Sequence, residues 1–117
     1  MSDQSNPSRL AVLWASGDPE VAKNVCFMYT HNAKRNGWFD QVQLIVWGPS
    51  AQLLCDSEPL QDAIHQMKDD GVQVTACIAC AKNYGLVERL WELGIEVKGM
   101  GQPLSAMLKD GWHVLTF

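Results

Sequence analysis

Two thiols set three residues apart, Cys77 and Cys80, are the most chemically suggestive pair of side chains in this 117-residue sequence. They close the stretch Val72-Gln73-Val74-Thr75-Ala76-Cys77, which reads as a strand, and stand where that strand hands over to a helix. A cysteine placed there feels unpaired backbone N–H groups and the positive end of a helix dipole. Both favour the thiolate, the form of sulfur that acts as a nucleophile. The plainer reading is two small residues filling a tight strand-to-helix corner, since free cysteine is among the most buried residue types.

Three chemistries could use such a pair. A zinc site needs four ligands, but there is no second C-x-x-C, and Cys26, Cys55, His31, His65 and His113 are scattered singly. No metal is therefore expected unless subunits share a site. A thioredoxin-type dithiol follows the strand nearest the start of its fold and has a Trp before its first Cys, whereas here Thr75-Ala76 precedes the pair on the third strand. Persulfide chemistry asks least, a partly exposed nucleophilic Cys with no metal, cofactor or general acid.

Around the pair, Lys82 could favour the thiolate electrostatically or simply be solvated, and Tyr84 lies close by in sequence. Trp14 and Trp47 each end a predicted strand. They could wall a pocket over Cys77 or be covered by a neighbouring subunit, and both readings leave them exposed in an isolated monomer. Gly99-Met100-Gly101 lacks the third glycine of a dinucleotide fingerprint and reads as a turn. His31 and His65 fall off the apolar stripes of their helices and read as exposed surface residues. Cys26 and Cys55 read as inert packing residues.

The elements that must position these residues alternate strand with helix. Residues 10–15 and 42–47 are continuous apolar runs, as expected of strands buried on both faces at the centre of a parallel sheet. Asp18-Pro19-Glu20 supplies an N-cap, a proline for the first helical position and an acid for the first turn. Val21, Ala22, Val25, Met28, Tyr29 and Ala33 then mark one continuous inner face up to Asn36-Gly37. After the second strand closes at Gly48-Pro49, Leu60, Ala63, Ile64 and Met67 share a helix face that ends at Asp70-Gly71. Leu86, Val87, Leu90 and Leu93 mark a short helix stopped by Gly94, and a strand follows at 95–98. A helix over 103–109 leads to a last strand at 112–117. These last two strands alternate polar and apolar residues, which places them near the sheet edges. The fold class is α/β, a three-layer α/β/α sandwich with a mostly parallel sheet of about five strands and right-handed crossovers. In such sheets ligands bind beyond the carboxyl ends of the strands.

Composition agrees with one domain over 9–117 behind a polar tail at 1–8, since 47% of the residues are hydrophobic and 19% charged. No apolar run approaches the ~20 residues of a membrane span, and the first residues carry no signal-peptide pattern, so a cytoplasmic protein without a membrane partner is expected. Nine Lys and Arg against thirteen Asp and Glu give a net charge of −4 with no basic cluster, which argues against nucleic acid as a partner. Five tryptophans are many for so short a chain, and some are expected at an interface.

The run Cys77-Ile78-Ala79-Cys80-Ala81-Lys82-Asn83-Tyr84-Gly85 after a strand resembles the DsrE/DsrF-like family, which includes the TusD-type sulfur-relay subunits. The resemblance extends from Leu10 to Phe117 and includes Gly94-Ile95-Glu96-Val97 and the final strand. In that family a Cys at the end of the third strand, followed by small residues and by a Gly eight positions on, is the sulfur acceptor. Cys77 and Gly85 match those places. The resemblance implies a YchN-like fold, assembly into homo-oligomers or related hetero-oligomers, sulfur donor and acceptor proteins as partners, and transfer through a persulfide on Cys77. Cys80 stands where those subunits carry a small non-thiol residue. A second thiol so close could attack the persulfide, releasing the sulfur and leaving a disulfide. Two other classes stay open: a non-catalytic oligomeric ligand- or protein-binding module, and a dithiol redox protein using Cys77 and Cys80.

Overall fold

The computed structural model describes residues 7–117, and the tail expected at 1–8 lies outside them apart from Pro7 and Ser8. Ser8 is held in place: its N–H donates to the Asp40 carboxylate at 2.9 Å, and its carbonyl accepts from the N–H groups of Asp40 and Gln41.

Strands β1 (Arg9–Trp14), β2 (Gln41–Val46), β3 (Gln73–Cys77), β4 (Glu96–Lys98) and β5 (His113–Thr116) form one sheet in the order β4-β3-β2-β1-β5. Every pairing is parallel. The two continuous apolar runs are interior strands, and the two alternating ones are the edges. Parallel neighbours need long crossovers, and helices supply them: α1 (Pro19–Val21), α2 (Phe27–Arg35), α3 (Pro49–Asp56), α4 (Glu58–Asp69), α5 (Ile78–Tyr84), α6 (Val87–Glu92) and α7 (Gly101–Lys109).

Alternation along the strands sorts the core into two unequal layers. Leu10, Val12 and Trp14 of β1, Val42, Leu44 and Val46 of β2, and Val74 and Ala76 of β3 point to one face, which α2 to α6 cover. Ala11, Ile45 and Cys77 point to the other, where Met100 and the half-buried Leu104 and Met107 of α7 meet them. The molecule is thus a three-layer sandwich with one deep layer and one shallow layer.

Two elements differ from the sequence expectation. Asp18 caps the first helix as predicted, accepting from the Glu20 N–H at 2.9 Å. Between α1 and α2, however, Ala22–Cys26 is a π-helical turn, closed by the Phe27 N–H on the Ala22 carbonyl. Ala22 and Cys26 within this turn, and Phe27, Thr30 and Ala33 after it, face the core. Val25 and Met28, placed inside by a 3.6-residue period, are 47% and 55% exposed. The second difference is α3, where the sequence reading saw only a strand stop. Gly48, at φ 86°, turns the chain out of β2, Pro49 starts the helix, and Ser50, Ala51 and Leu54 are buried. Ser57 then ends α3 and caps α4, accepting from the Leu60 N–H at 3.3 Å.

Candidate functional site

Cys77 is both the last residue of β3 and the N-cap of α5, with extended backbone angles of φ −74° and ψ 122°. At the other end of α5, Gly85 takes the left-handed conformation (φ 70°) and its N–H closes on the Ala81 and Lys82 carbonyls. The eight-residue step from Cys77 to Gly85 is therefore one helix measured from cap to cap.

The connections leaving β3 and β4 set the position of this corner. After β3 the chain turns to the deep layer, where Ala81 of α5 and Leu90 of α6 are buried. After β4 it turns to the shallow layer, where Leu104 and Met107 of α7 pack. Adjacent strands whose crossovers diverge leave a crevice beyond their carboxyl ends, the usual ligand position in an open α/β sheet. Cys77 and Lys98 are register partners across that pair of strands. Lys98 was missed by the sequence reading, because nothing in a short alternating strand announces which residue of β3 it will face. Its ammonium group lies 3.4 Å from the Glu96 carboxylate, and its side chain is 45% exposed.

Cys77 itself is only 5% exposed, packed in the shallow layer with Ala11, Ile45 and Met100, and Trp47, half-buried just beyond β2, packs against the same cluster. Cys80, the third residue of α5, is half-buried. Trp14 overturns the expectation of an exposed rim tryptophan. The period of two that puts Leu10 and Val12 in the deep layer puts Trp14 there too, 0% exposed, with its ring edge-to-face against Phe27 at 4.7 Å. Its indole N–H is a buried donor without a partner among the described residues. Lys82 and Tyr84 are exposed, and neither shares a depression with Cys77. Tyr84 lines one of about 380 Å³ with Pro49, Gln52 and Asp56, and Lys82 lines another with Gly85, Val87 and Glu88.

A larger groove of about 490 Å³ runs along the sheet under α7, with Gln43, Thr75, Glu96, Lys98, Pro103 and Met107 among its walls. Within it the Gln43 amide donates to the Thr75 hydroxyl at 3.2 Å. Lys68, Val72, Gln73 and Gly94 also line it, which places it at the amino ends of β3 and β4, and Cys77 is not among its walls. Attention to the strand ends alone did not anticipate this groove.

The remaining thiols differ in kind. Cys26 is fully buried, and burial pushes its thiol up to about 12, offset only in part by a hydrogen bond with Thr30. The Cys55 thiol is also raised by burial, with the Arg89 charge opposing. His31, expected on the open surface, is half-buried with Nε2 2.6 Å from the Asp70 carboxylate. His65 is exposed and reaches the Leu93 carbonyl at 3.1 Å. His113 lies 5.8 Å from Phe39, ring centre to ring centre. Among the described residues no three His, Cys, Asp or Glu side chains are grouped to hold a metal ion, and no helix is long and apolar enough to cross a membrane.

Solved structures share this fold. A conserved protein of unknown function from Bacteroides thetaiotaomicron superposes with a TM-score of 0.90 at 33% identity, covering 94% of this chain and 95% of its own. A protein of unknown function from Methanobacterium thermoautotrophicum and the ychN protein of E. coli both superpose at 0.71, with 19% and 14% identity, over 94% of this chain and 99% of theirs. No curated protein matches the chain. The YchN-like architecture expected from the sequence is therefore the observed one. The profile of the DsrE/DsrF-like family matches residues 25–117, which include the Cys77 corner, the crevice and α7, and the chain belongs to that family.

Proposed function

We propose that the protein is a sulfur carrier that accepts sulfane sulfur as a persulfide on Cys77 and passes it to a partner protein. The observation that carries this reading is the placement of Cys77 at the carboxyl end of β3, beside the diverging β3 and β4 crossovers and at the head of a helix closed by Gly85. In loading, the Cys77 thiolate attacks the outer sulfur of a donor persulfide. The sulfur–sulfur bond of the donor breaks, the donor leaves as its thiolate, and a Cys77 persulfide remains. Delivery repeats the exchange, with an acceptor thiolate attacking the outer sulfur. The chemistry uses no cofactor. The carrier works as a symmetric homo-oligomer in this proposal, with its donor and acceptor docking at the crevice in the cytoplasm.

Incubation with a sulfane-sulfur donor followed by intact mass spectrometry tests the reading. Read immediately after loading, the reduced protein is expected to gain one sulfur atom that a reductant removes, and Cys77→Ser is expected to gain none. The burial of Cys77 favours a second reading, a binding module with inert cysteines. That reading expects no mass change in either protein.

A further inference from the structure

We infer that Cys80 discharges sulfur held on Cys77 as hydrosulfide, so that a loaded protein left without an acceptor becomes a Cys77–Cys80 disulfide that cannot reload until it is reduced. The inference rests on the proposal that Cys77 takes up sulfur, and adds to it a redox gate. Its starting point is the placement of the two thiols on α5, Cys77 at the N-cap and Cys80 at the third helical position. These are the positions of a capping box, in which the N-cap side chain turns toward the backbone of the third residue and the third side chain reaches back toward the N-cap. Side chains three apart on a helix have Cβ atoms about 5–6 Å apart. A disulfide holds its Cβ atoms at about 3.5–4.5 Å, so the exchange draws the first turn of α5 together. No side-chain hydrogen bond to the helix engages Cys77, so its sulfur is not already committed to capping.

Burial makes Cys80 the favoured attacker. Cys77 is 5% exposed in the shallow layer, which hinders an external thiol from attacking the Cys77 Sγ itself rather than the outer sulfur, whereas Cys80 lies half-buried on the same short helix. Cys26 and Cys55 both pack with the deep layer, on the opposite face of the sheet from Cys77. Neither is placed to compete.

The exchange balances. The Cys80 thiolate attacks the Cys77 Sγ, and the bond from that Sγ to the sulfane sulfur breaks. The electron pair leaves with the sulfane sulfur, which departs as hydrosulfide carrying the persulfide proton. The proton of the Cys80 thiol goes to solvent. The sulfane sulfur is reduced by two electrons and the two cysteine sulfurs are oxidised to a disulfide. Reloading requires an external dithiol, which takes the oxidation onto itself.

The test loads the whole reduced protein with inorganic polysulfide, removes excess donor by desalting, and then follows released sulfide and intact mass without added thiol. The unmodified protein is expected to release one sulfide per loaded chain and to end two hydrogens lighter than its reduced form, and dithiothreitol then restores loading. Cys80→Ser and Cys80→Ala are expected to load and to hold the added sulfur at least about tenfold longer, since they lack an attacker at millimolar effective concentration. If the unmodified protein holds its sulfur as long as both variants do, the inference is overturned while the carrier reading stands. If neither variant nor the unmodified protein gains sulfur, the carrier reading has failed, and the inference with it.

Discussion

Burial sets the ionisation of Cys26, and the effect is measurable as a function of pH. Cys26 keeps its proton in the folded protein up to about 12 because a thiolate there would lose its hydration, whereas an unfolded thiol ionises near 9.0. Between those two values the unfolded chain has released a proton that the folded chain retains. Folding stability from this group is thus complete below about pH 9 and declines as pH rises, by about 1.4 kcal/mol per pH unit across the window. Cys26→Ala is expected to flatten that decline in urea unfolding between pH 9 and 11, whatever it costs at neutral pH. Equal slopes in the two proteins would show that burial does not control this thiol. At the same scale Trp14→Ala, which empties a fully buried site beside Phe27, is expected to cost about 3–5 kcal/mol. Trp14→Phe, which removes the partnerless N–H along with some volume, is expected to cost less than half as much. Neighbouring residues explain why the sequence was legible at one position and not at another. Cys77 could be placed because its strand and its helix adjoin it in the chain. Lys98 could not, because its relation to Cys77 is a register between strands separated by two helices.

Helices were read from the sequence by period and punctuation, and the failures lie where the period itself changes. Asp18-Pro19 and Asp70-Gly71 bound their helices as expected because caps are local chemistry. The π turn at Ala22–Cys26 was invisible because no residue type marks a five-residue spacing, and Val25 and Met28 face outward because the buried stripe runs through Ala22, Cys26, Thr30 and Ala33. α3 is hidden in the sequence because Gly48-Pro49 serves equally as the end of a strand and the start of a helix. In α5 the governing residue is Gly85, whose left-handed backbone ends the helix with no other group near enough to meet a Cβ. Gly85→Ala therefore introduces conformational strain without a clash, and is expected to cost about 1–2 kcal/mol in urea unfolding. By loosening the C-terminal turn it should also slow sulfur loading at Cys77 without abolishing it. A loss of loading as complete as that of Cys77→Ser would mean that Gly85 does more than end the helix.

Viewed whole, the sandwich is lopsided, and that asymmetry gives the proposed association a place. The deep layer buries its strand side chains under α2 to α6, while among the described residues the shallow layer has α7 alone. Leu13, Trp47, Trp112 and Val114 consequently stay only half-buried on one continuous side of β1, β2 and β5, and Leu108 on α7 is 56% exposed. From the sequence, Trp14 and Trp47 either wall a pocket over Cys77 or are covered by a neighbouring subunit. With Trp14 in the deep layer, Trp47 and this shallow side are what remain to support association. A stable interface buries about 800 Å² on each partner and draws its energy from such apolar side chains at its centre. Light scattering at micromolar concentration is expected to give a multiple of the 13.0 kDa chain mass. Val114→Lys, a charge placed on the half-covered side of an edge strand, is expected to return the mass to that of one chain while the far-ultraviolet circular dichroism is preserved. Trp91→Lys supplies the contrast, since Trp91 is exposed on α6 across the sheet, and it should leave the assembly intact. A monomeric unmodified protein would remove association from the proposal. Dissociation by Trp91→Lys but not by Val114→Lys would move the interface to the deep side, and would leave the half-buried strip around Trp47 to a donor or acceptor protein docking beside Cys77.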